Sequence, residues 1–440
     1  MNKEKFHNKT QFALDHAKKI GADQTSLSFG SASGFSVTAQ NGSIDTVENH
    51  QDQRFSISVH LNQSIGSASS NDLSESTIIK TIDKAYSLAS LTAADQYNGL
   101  ADKELMAINP MDLDLFHPWD IDILSAQKLA LECEQAAIDY HPKVINSEGA
   151  SVGSYKNESY YANSHGFFGV TNSTGHSISC TAIAEEDGLM EMDYDYSSER
   201  HPEDLMNHIE IGKNAGSKAL ANLGSKKIKT QQAQILYTPR VAKSIISHLM
   251  DAISGGSLYR KSSFLLDSMG KTVCSEIMTI KEDPHLKRGS SSAYFDGEGV
   301  ETSPRLIVDQ GKLLGYLLSS YSARRLGMET TGNAGGHHNL LIEPSGSDDF
   351  NALVKGMKKG LIVTGLIGYG VNIVNGDYSR GANGFWVENG EILYPVSEIT
   401  IAGNLKNMLN DIEAIGSDMD NNGSTKMGSL LINNLMIAGQ

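Results

Sequence analysis

Apolar positions along this chain repeat with two periods, and the switches between them outline its elements. Phe12, Ala13, His16, Ala17 and Ile20 recur at helical spacing near the N-terminus. Lys18 and Lys19 occupy the last turn of that pattern and Gly21 follows, the chemistry of a helix stop. The period then drops to two. Leu27/Phe29, then Phe35/Val37/Ala39, then Phe55, Ile57, Val59 and Leu61 predict half-buried strands. Asn41-Gly42 predicts a tight hairpin, because both central residues of that turn need positive φ. Ser64 to Ser70 reads as a loop or a close-packed strand end. Helical spacing returns over 73–90, through Ile78, Ile79, Ile82, Ala85 and Ala89, and over 122–139, through Ala126, Leu129, Ala130, Cys133 and Ala137. Between them, 91–120 holds Pro110 and Pro118 and reads as a linker running over the surface.

Segment 144–200 is β-rich, with a turn at Asn163-Ser164-His165-Gly166, and a helix near 203–222 follows. The lysine-rich stretch Gly224 to Thr230 marks the main boundary. Beyond it Ile235-Leu236-Tyr237 is strand-like, and Pro239 suits the first turn of a helix carrying Val241, Ile245, Leu249 and Ala252. Short β-like runs then recur at 306–308, 313–318, 361–363, 385–387 and 392–394. The expected fold class is α+β. A mixed α/β N-terminal domain spans 1–225, with sub-segments about 1–115 and 120–225, and a strand-rich C-terminal domain spans 226–440.

A length of 440 residues is ample for two cores, and the formal charge of −16 narrows the partners. A chain this acidic, with no Lys/Arg block, repels a phosphate backbone, so no nucleic-acid partner is expected. Cys133, Cys180 and Cys274 are far apart and form no C-x-x-C pair. They read as free buried thiols of a reducing compartment rather than as a disulfide framework or thiolate metal site. No signal-like apolar region and no 18-residue apolar run occurs. No membrane association and a cytoplasmic location are therefore expected.

Candidate chemistry is sparse. A zinc peptidase needs two imidazoles one helical turn apart with a glutamate beside them, and neither His-Glu-x-x-His nor His-Glu-x-x-x-His is present. His248 lies on the helix after Pro239, but Ala252 and Ile253 follow it at the ligand spacings. His337-His338, after Gly335-Gly336, could be structural, could contact a peptide or a subunit, or could bind a metal, although adjacent strand residues face opposite sides. No G-x-S-x-G elbow exists, and Ser262-Ser263 beside Lys261 lacks an evident geometry for activating a hydroxyl. Gly365 to Gly370 lacks the Lys-Ser/Thr of a phosphate loop and reads as a turn. The acidic run from Glu185 through Glu186, Asp187, Glu191, Asp193 and Asp195 to Glu199 lacks the EF-hand order and reads as a solvated strand face.

The C-terminal half carries long recognisable segments. They include Leu258-Tyr259-Arg260-Lys261-Ser262-Ser263-Phe264-Leu265, Asp283-Pro284-His285-Leu286, Thr331-Gly332-Asn333-Ala334-Gly335-Gly336, Asn375-Gly376-Asp377-Tyr378-Ser379-Arg380-Gly381-Ala382, and Tyr394 through Asn404. On these, spread over about 252–404, the chain resembles the PmbA (TldE) side of the TldD/PmbA family, related to metallopeptidases and labelled a modulator of DNA gyrase; Asn41-Gly42 and Gly66-Ser67-Ala68 match more loosely. The resemblance implies a division of labour. TldD-type subunits carry a His-Glu-x-x-x-His helix and bind zinc, whereas PmbA-type subunits do not; here Asp251 stands about where the glutamate would be, and the histidines are replaced by apolar or small residues. The tail from Met427 to Gln440 also lacks a cysteine that the catalytic subunit uses as a further ligand.

The implied activity is proteolysis, the degradation or maturation of peptides by a two-subunit metallopeptidase. In that arrangement this chain holds no cofactor and has no catalytic residue of its own, and zinc belongs to a TldD-type partner. The partners implied are that subunit and a peptide, with a homodimer as another assembly. Candidates for peptide binding or subunit contact are Tyr259, Arg260, Lys261, Asn333, His337, His338, Arg380 and Asn383. An independent hydrolase with a non-standard site, or a non-enzymatic peptide-binding regulator, are the competing expectations.

Overall fold

The computed structural model describes residues 3–439. Its N-terminal half is built on one long antiparallel sheet. The elements run α1 (Lys3–Lys19), β1 (Gln24–Gln40), β2 (Ser43–Leu61), β3 (Ser64–Ser70), α2 (Glu75–Leu91), α3 (Ile123–Ile138), β4 (Val144–Asn163), β5 (Phe168–Glu186), β6 (Leu189–Glu199) and α4 (His208–Ala221). The strand order is β3-β2-β1-β4-β5-β6. The β1–β2 turn takes φ of 56° at Asn41 and 70° at Gly42, the mirror-image geometry that Asn-Gly tolerates.

One face of this sheet is apolar and the four helices cover it. Leu27, Phe29, Phe55, Ile57 and Val59 pack with α1 and α2, while Val37, Val152, Ile178, Cys180 and Ala182 pack with α3 and α4. The α3–α4 contact is nearly backbone to backbone, since a Cβ on Gly212 would lie 2.1 Å from the Cys133 carbonyl oxygen. The opposite face presents small polar groups, among them Ser26, Ser28, Ser56, Ser58, Ser159 and Thr171, towards the C-terminal half.

That half contains β7 (Gln231–Tyr237), α5 (Pro239–Ala252), α6 (Gly255–Tyr259), β8 (Ile280–Asp283), β9 (Arg305–Asp309), β10 (Lys312–Leu313), α7 (Ser320–Leu326), β11 (Asn339–Ile342), α8 (Phe350–Gly356), β12 (Lys359–Ile367), β13 (Val371–Asn372), β14 (Asp377–Glu388), β15 (Glu391–Asn404), α9 (Leu405–Asn410), β16 (Ile412–Ile415), β17 (Thr425–Lys426) and β18 (Leu430–Ala438). The larger sheet runs β12-β7-β18-β15-β14-β13, and β12 also pairs with β14, so five strands close into a small barrel. Its core continues into the buried face of α5, where Val241, Ala242, Ile245, Ile246, Leu249 and Met250 join Tyr237, Tyr378, Ala382 and Ile401. A smaller sheet, β10-β9-β8-β11-β17, packs alongside.

Four expectations need correction. Ser64–Ser70 is a strand, zipped onto β2 along its whole length. The helix expected near 203–222 starts at His208: Pro202–Asp204 form a separate 3₁₀ turn, and Asn207 caps the helix by accepting from Ile209 N–H. The run 313–318 leaves its strand at Leu313, and Leu317 N–H instead donates to the Ile253 carbonyl beyond α5. Segment 91–120 is more than a surface linker. Leu113 is buried against Tyr294 and Phe295, and Met106 pairs with Val300, so it ties the two halves together. Among the described residues no helix is long and apolar enough to cross a membrane.

Candidate functional site

Helix α5 is apolar on one side and polar on the other, and its polar side faces the junction between the two halves. Pro239 opens it with a φ already suited to a first turn. Arg240 comes next and reaches the edge of the N-terminal sheet. Its guanidinium lies over the rings of Tyr194 and Tyr196, 4.7 and 4.8 Å from their centroids, and donates to Asp195 at 2.7 Å. Asp195 is 5% exposed and also receives Lys218 and Asn214. Burial pushes this carboxyl up, but the donors and cations around it win and hold it below the usual range. The acidic run is therefore not simply a solvated face, because β6 turns Asp195 inward as an anchor.

Beside Arg240 lies a cavity of about 420 Å³ lined by Tyr194 and Met192 of β6, Val241 and Ser244 of α5, Thr364 to Leu366 of β12, and Arg380 and Asn383 of β14. A neighbouring cavity of about 410 Å³ shares Asp193, Arg240 and Thr364 and extends towards Lys218 and Asp420. Arg380 stands on β14 between Tyr378 and Ala382, on the face that points into the core, because alternate strand residues share a face. The His248 ring packs edge-on against Tyr378 at 6.2 Å. Burial lowers the His248 pKa, the charge of Arg380 adds to that, and Asp251 only partly opposes it, so the imidazole is neutral near pH 7. Burial also raises the Tyr237 and Tyr378 hydroxyls above the usual tyrosine range.

Unmet hydrogen-bonding capacity concentrates here. Among the described residues, His248 Nε2, Thr364 Oγ1 and Arg380 Nε are buried here without a hydrogen-bond partner, beside the buried Tyr237 and Tyr378 hydroxyls, which interact with each other. Buried polar groups are ordinarily paired, so such a cluster points to a site that receives something.

The eight residues singled out from the sequence fall into three places. Arg380 and Asn383 meet in the cavity just described. Tyr259, Arg260 and Lys261 lie at the C-terminal end of α6, in an aromatic and cationic surface patch: Tyr259 meets Tyr321 edge-on, and Arg260 and Arg325 both lie over the Tyr259 ring. Asn333, His337 and His338 belong to a third region. Asn333 is buried, accepts Arg305 at 2.8 Å and donates to Glu282 at 2.8 Å, while the His338 ring contacts the Gly332 and Ser291 carbonyls. The Asn333 side chain is thus consumed by internal bonds. Sequence reasoning missed Thr364, Ser244, Arg240 and Tyr194, since nothing in the local pattern shows that β6 will lie across α5.

The residues do not fit a zinc site. His248 is the one histidine on the polar side of α5, and among the described residues no group of three His, Cys, Asp or Glu side chains could hold a metal ion.

Comparison with known proteins gives the family. The model of the PmbA/TldA metallopeptidase C-terminal domain matches residues 230–439, that of the central domain 116–223, and that of domain 1 26–89. The metalloprotease PmbA homolog of Haemophilus influenzae is 45% identical over 428 residues, 97% of this chain and 95% of that one. The chain belongs to the PmbA/TldD family. Within that family, its structure is similar to that of a candidate modulator of DNA gyrase from Bacteroides thetaiotaomicron, with a TM-score of 0.94 at 28% identity and full coverage of both chains. TldE from Thermococcus kodakarensis shares the fold, with a TM-score of 0.81 at 18% identity over 98% of this chain and all of that one. In this PmbA/TldD protein the junction between α5 and β6 is the candidate functional site.

Proposed function

We propose that this chain is the subunit of a cytoplasmic two-component metallopeptidase that does not hold the metal, and that it supplies a peptide-binding wall beside a TldD-type partner carrying zinc. The observation that carries the reading is the polar side of α5. It presents Arg240, Ser244, Ser247, His248 and Asp251, and a single imidazole cannot supply the three ligands a catalytic zinc needs. Family membership supports proteolysis as the activity of the assembly. The cavities beside α5 support a binding role for this chain.

No catalytic step is assigned to residues of this chain. What they do is bind and orient: Arg240 fixes the N-terminal sheet edge against α5, and strands near β12 and β14 offer backbone for an extended peptide. The test is reconstitution with a TldD-type protein. The chain alone should bind no stoichiometric zinc and cleave no peptide, whereas the mixture should cleave. A partner that cleaves at full rate alone, or one zinc bound tightly by this chain, would sink the reading.

A further inference from the structure

We propose that the cavity at Arg380 is a carboxylate-binding site that receives the C-terminal carboxylate or an acidic side chain of a peptide lying along the open edge of β12. The inference rests on the peptide-binding role proposed above and adds the chemistry of recognition to it.

Four observations converge. Arg380 is half-buried on an inward strand position, its Nε is fully buried without a partner, and among the described residues its guanidinium has no ion pair or hydrogen bond. A guanidinium withdrawn from water without a counter-charge is costly, and its planar fork matches a carboxylate bidentately. Next, the neighbouring groups are donors rather than competing anions. Thr364 Oγ1 is also buried and unpartnered, and the Asn383 amide lines the same space, while the Ser244 hydroxyl there is turned back to donate to the Val241 carbonyl. The one acid on the lining, Asp193, is already engaged by Asn222.

Third, the backbone is shaped to hold Asn383 in place. A Cβ on Gly365 would lie 2.2 Å from Asn383 Oδ1, so a glycine at 365 is what lets the amide sit over β12. Last, β12 has a free edge at this point. It pairs with β14 as far as Ile367, but β7 accompanies it only from Gly360 to Val363, and the chain then departs into α5. Thr364 to Leu366 line the cavity and leave that edge open for a strand to pair with. Met192, Val241 and Leu366 supply apolar walls, and about 420 Å³ holds one or two residues of an extended chain.

The experiment is fluorescence anisotropy of the full chain with three labelled alanine-leucine pentapeptides. One has a free C-terminus, one is amidated, and one is amidated with a glutamate in its last position. The free acid or the glutamate peptide should bind at least tenfold more tightly than the neutral amide, and which of the two does so distinguishes a terminal from a side-chain carboxylate. Arg380→Gln should abolish the preference while its thermal unfolding matches the parent. Thr364→Val, which keeps the side-chain shape, should weaken it and carries the same test if Arg380→Gln does not fold. Equal binding of all three peptides, or a preference unchanged in both variants, overturns the carboxylate site and leaves the peptide-binding role standing. If no peptide binds the chain or its complex with a TldD-type protein, both fall.

Discussion

Replacing Glu282 by alanine should unfold the C-terminal half many degrees early, although Glu282 does not line the candidate site. The residue is 1% exposed and its carboxylate collects three donors: Arg305 Nε at 2.8 Å, Asn333 Nδ2 at 2.8 Å and the His338 amide at 2.7 Å. Arg305 also reaches Asn333 Oδ1 and the Tyr316 carbonyl. Removing the carboxylate strands a guanidinium whose side chain is 19% exposed, together with two further donors. Breaking a buried ion pair from one side costs about 3–5 kcal/mol. For a unit of roughly 200 residues, each kcal/mol moves Tm by about 2–4 °C, so the first calorimetric transition should fall by about 6–20 °C. The control is Glu282→Ala combined with Arg305→Met. Removing the stranded charge as well should recover at least about 2 kcal/mol, because two apolar groups in place of a buried pair can be nearly neutral. A loss below about 1 kcal/mol in the single variant, with no recovery in the double, would refute the argument.

Three other expectations follow from the packing. Burial pushes the Asp296 carboxyl up to about 6, even though the Ala334, Glu298 and Val300 amides donate to it. Its folded pKa lies above the unfolded value, so between about pH 4 and pH 6 the folded state binds more protons and stability falls as pH rises, by about 3 kcal/mol at 1.36 kcal/mol per unit. Asp296→Asn should flatten that decline in urea titrations across the window. Burial raises the Cys274 thiol to about 12, and a hydrogen bond with the Cys180 thiol, added to by burial, raises Cys133, so iodoacetamide at pH 8 should leave the native chain unlabelled and modify three cysteines after denaturation, as counted by intact mass. Gly212→Ala should cost about 1–3 kcal/mol in chemical unfolding, because the new methyl meets the Cys133 carbonyl rather than a movable side chain.

Local patterning made most of the architecture readable. The Asn41-Gly42 hairpin, the alternation through Phe55 to Leu61 and the helical face from Ile78 to Ala89 each follow from a period and a stop signal within a few residues. The strand at Ser64–Ser70 was harder, because its serines and glycine carry little apolar alternation and β2 imposes the pairing. The site was legible only in part. Arg380 and Asn383 stood out within a recognisable segment, but Tyr194 joins them from nearly 200 positions away, and Thr364 only through the pairing of β12 with β14. Asn333 and His338 looked like ligand contacts for the same reason that makes them structural: polar side chains beside glycines are what a buried ion pair needs around it.

The last strand of the barrel, Leu430–Ala438, lies between β7 and β15 rather than at an edge. During synthesis β7 emerges nearly 200 residues before the neighbour it needs, and its exposed hydrogen-bonding groups must wait for that segment to clear the ribosome. The C-terminal half therefore folds only after translation has passed this strand. A stop codon before Leu430 would leave two unpaired edges and a gap in the ring, a product suited to aggregation rather than to reduced activity.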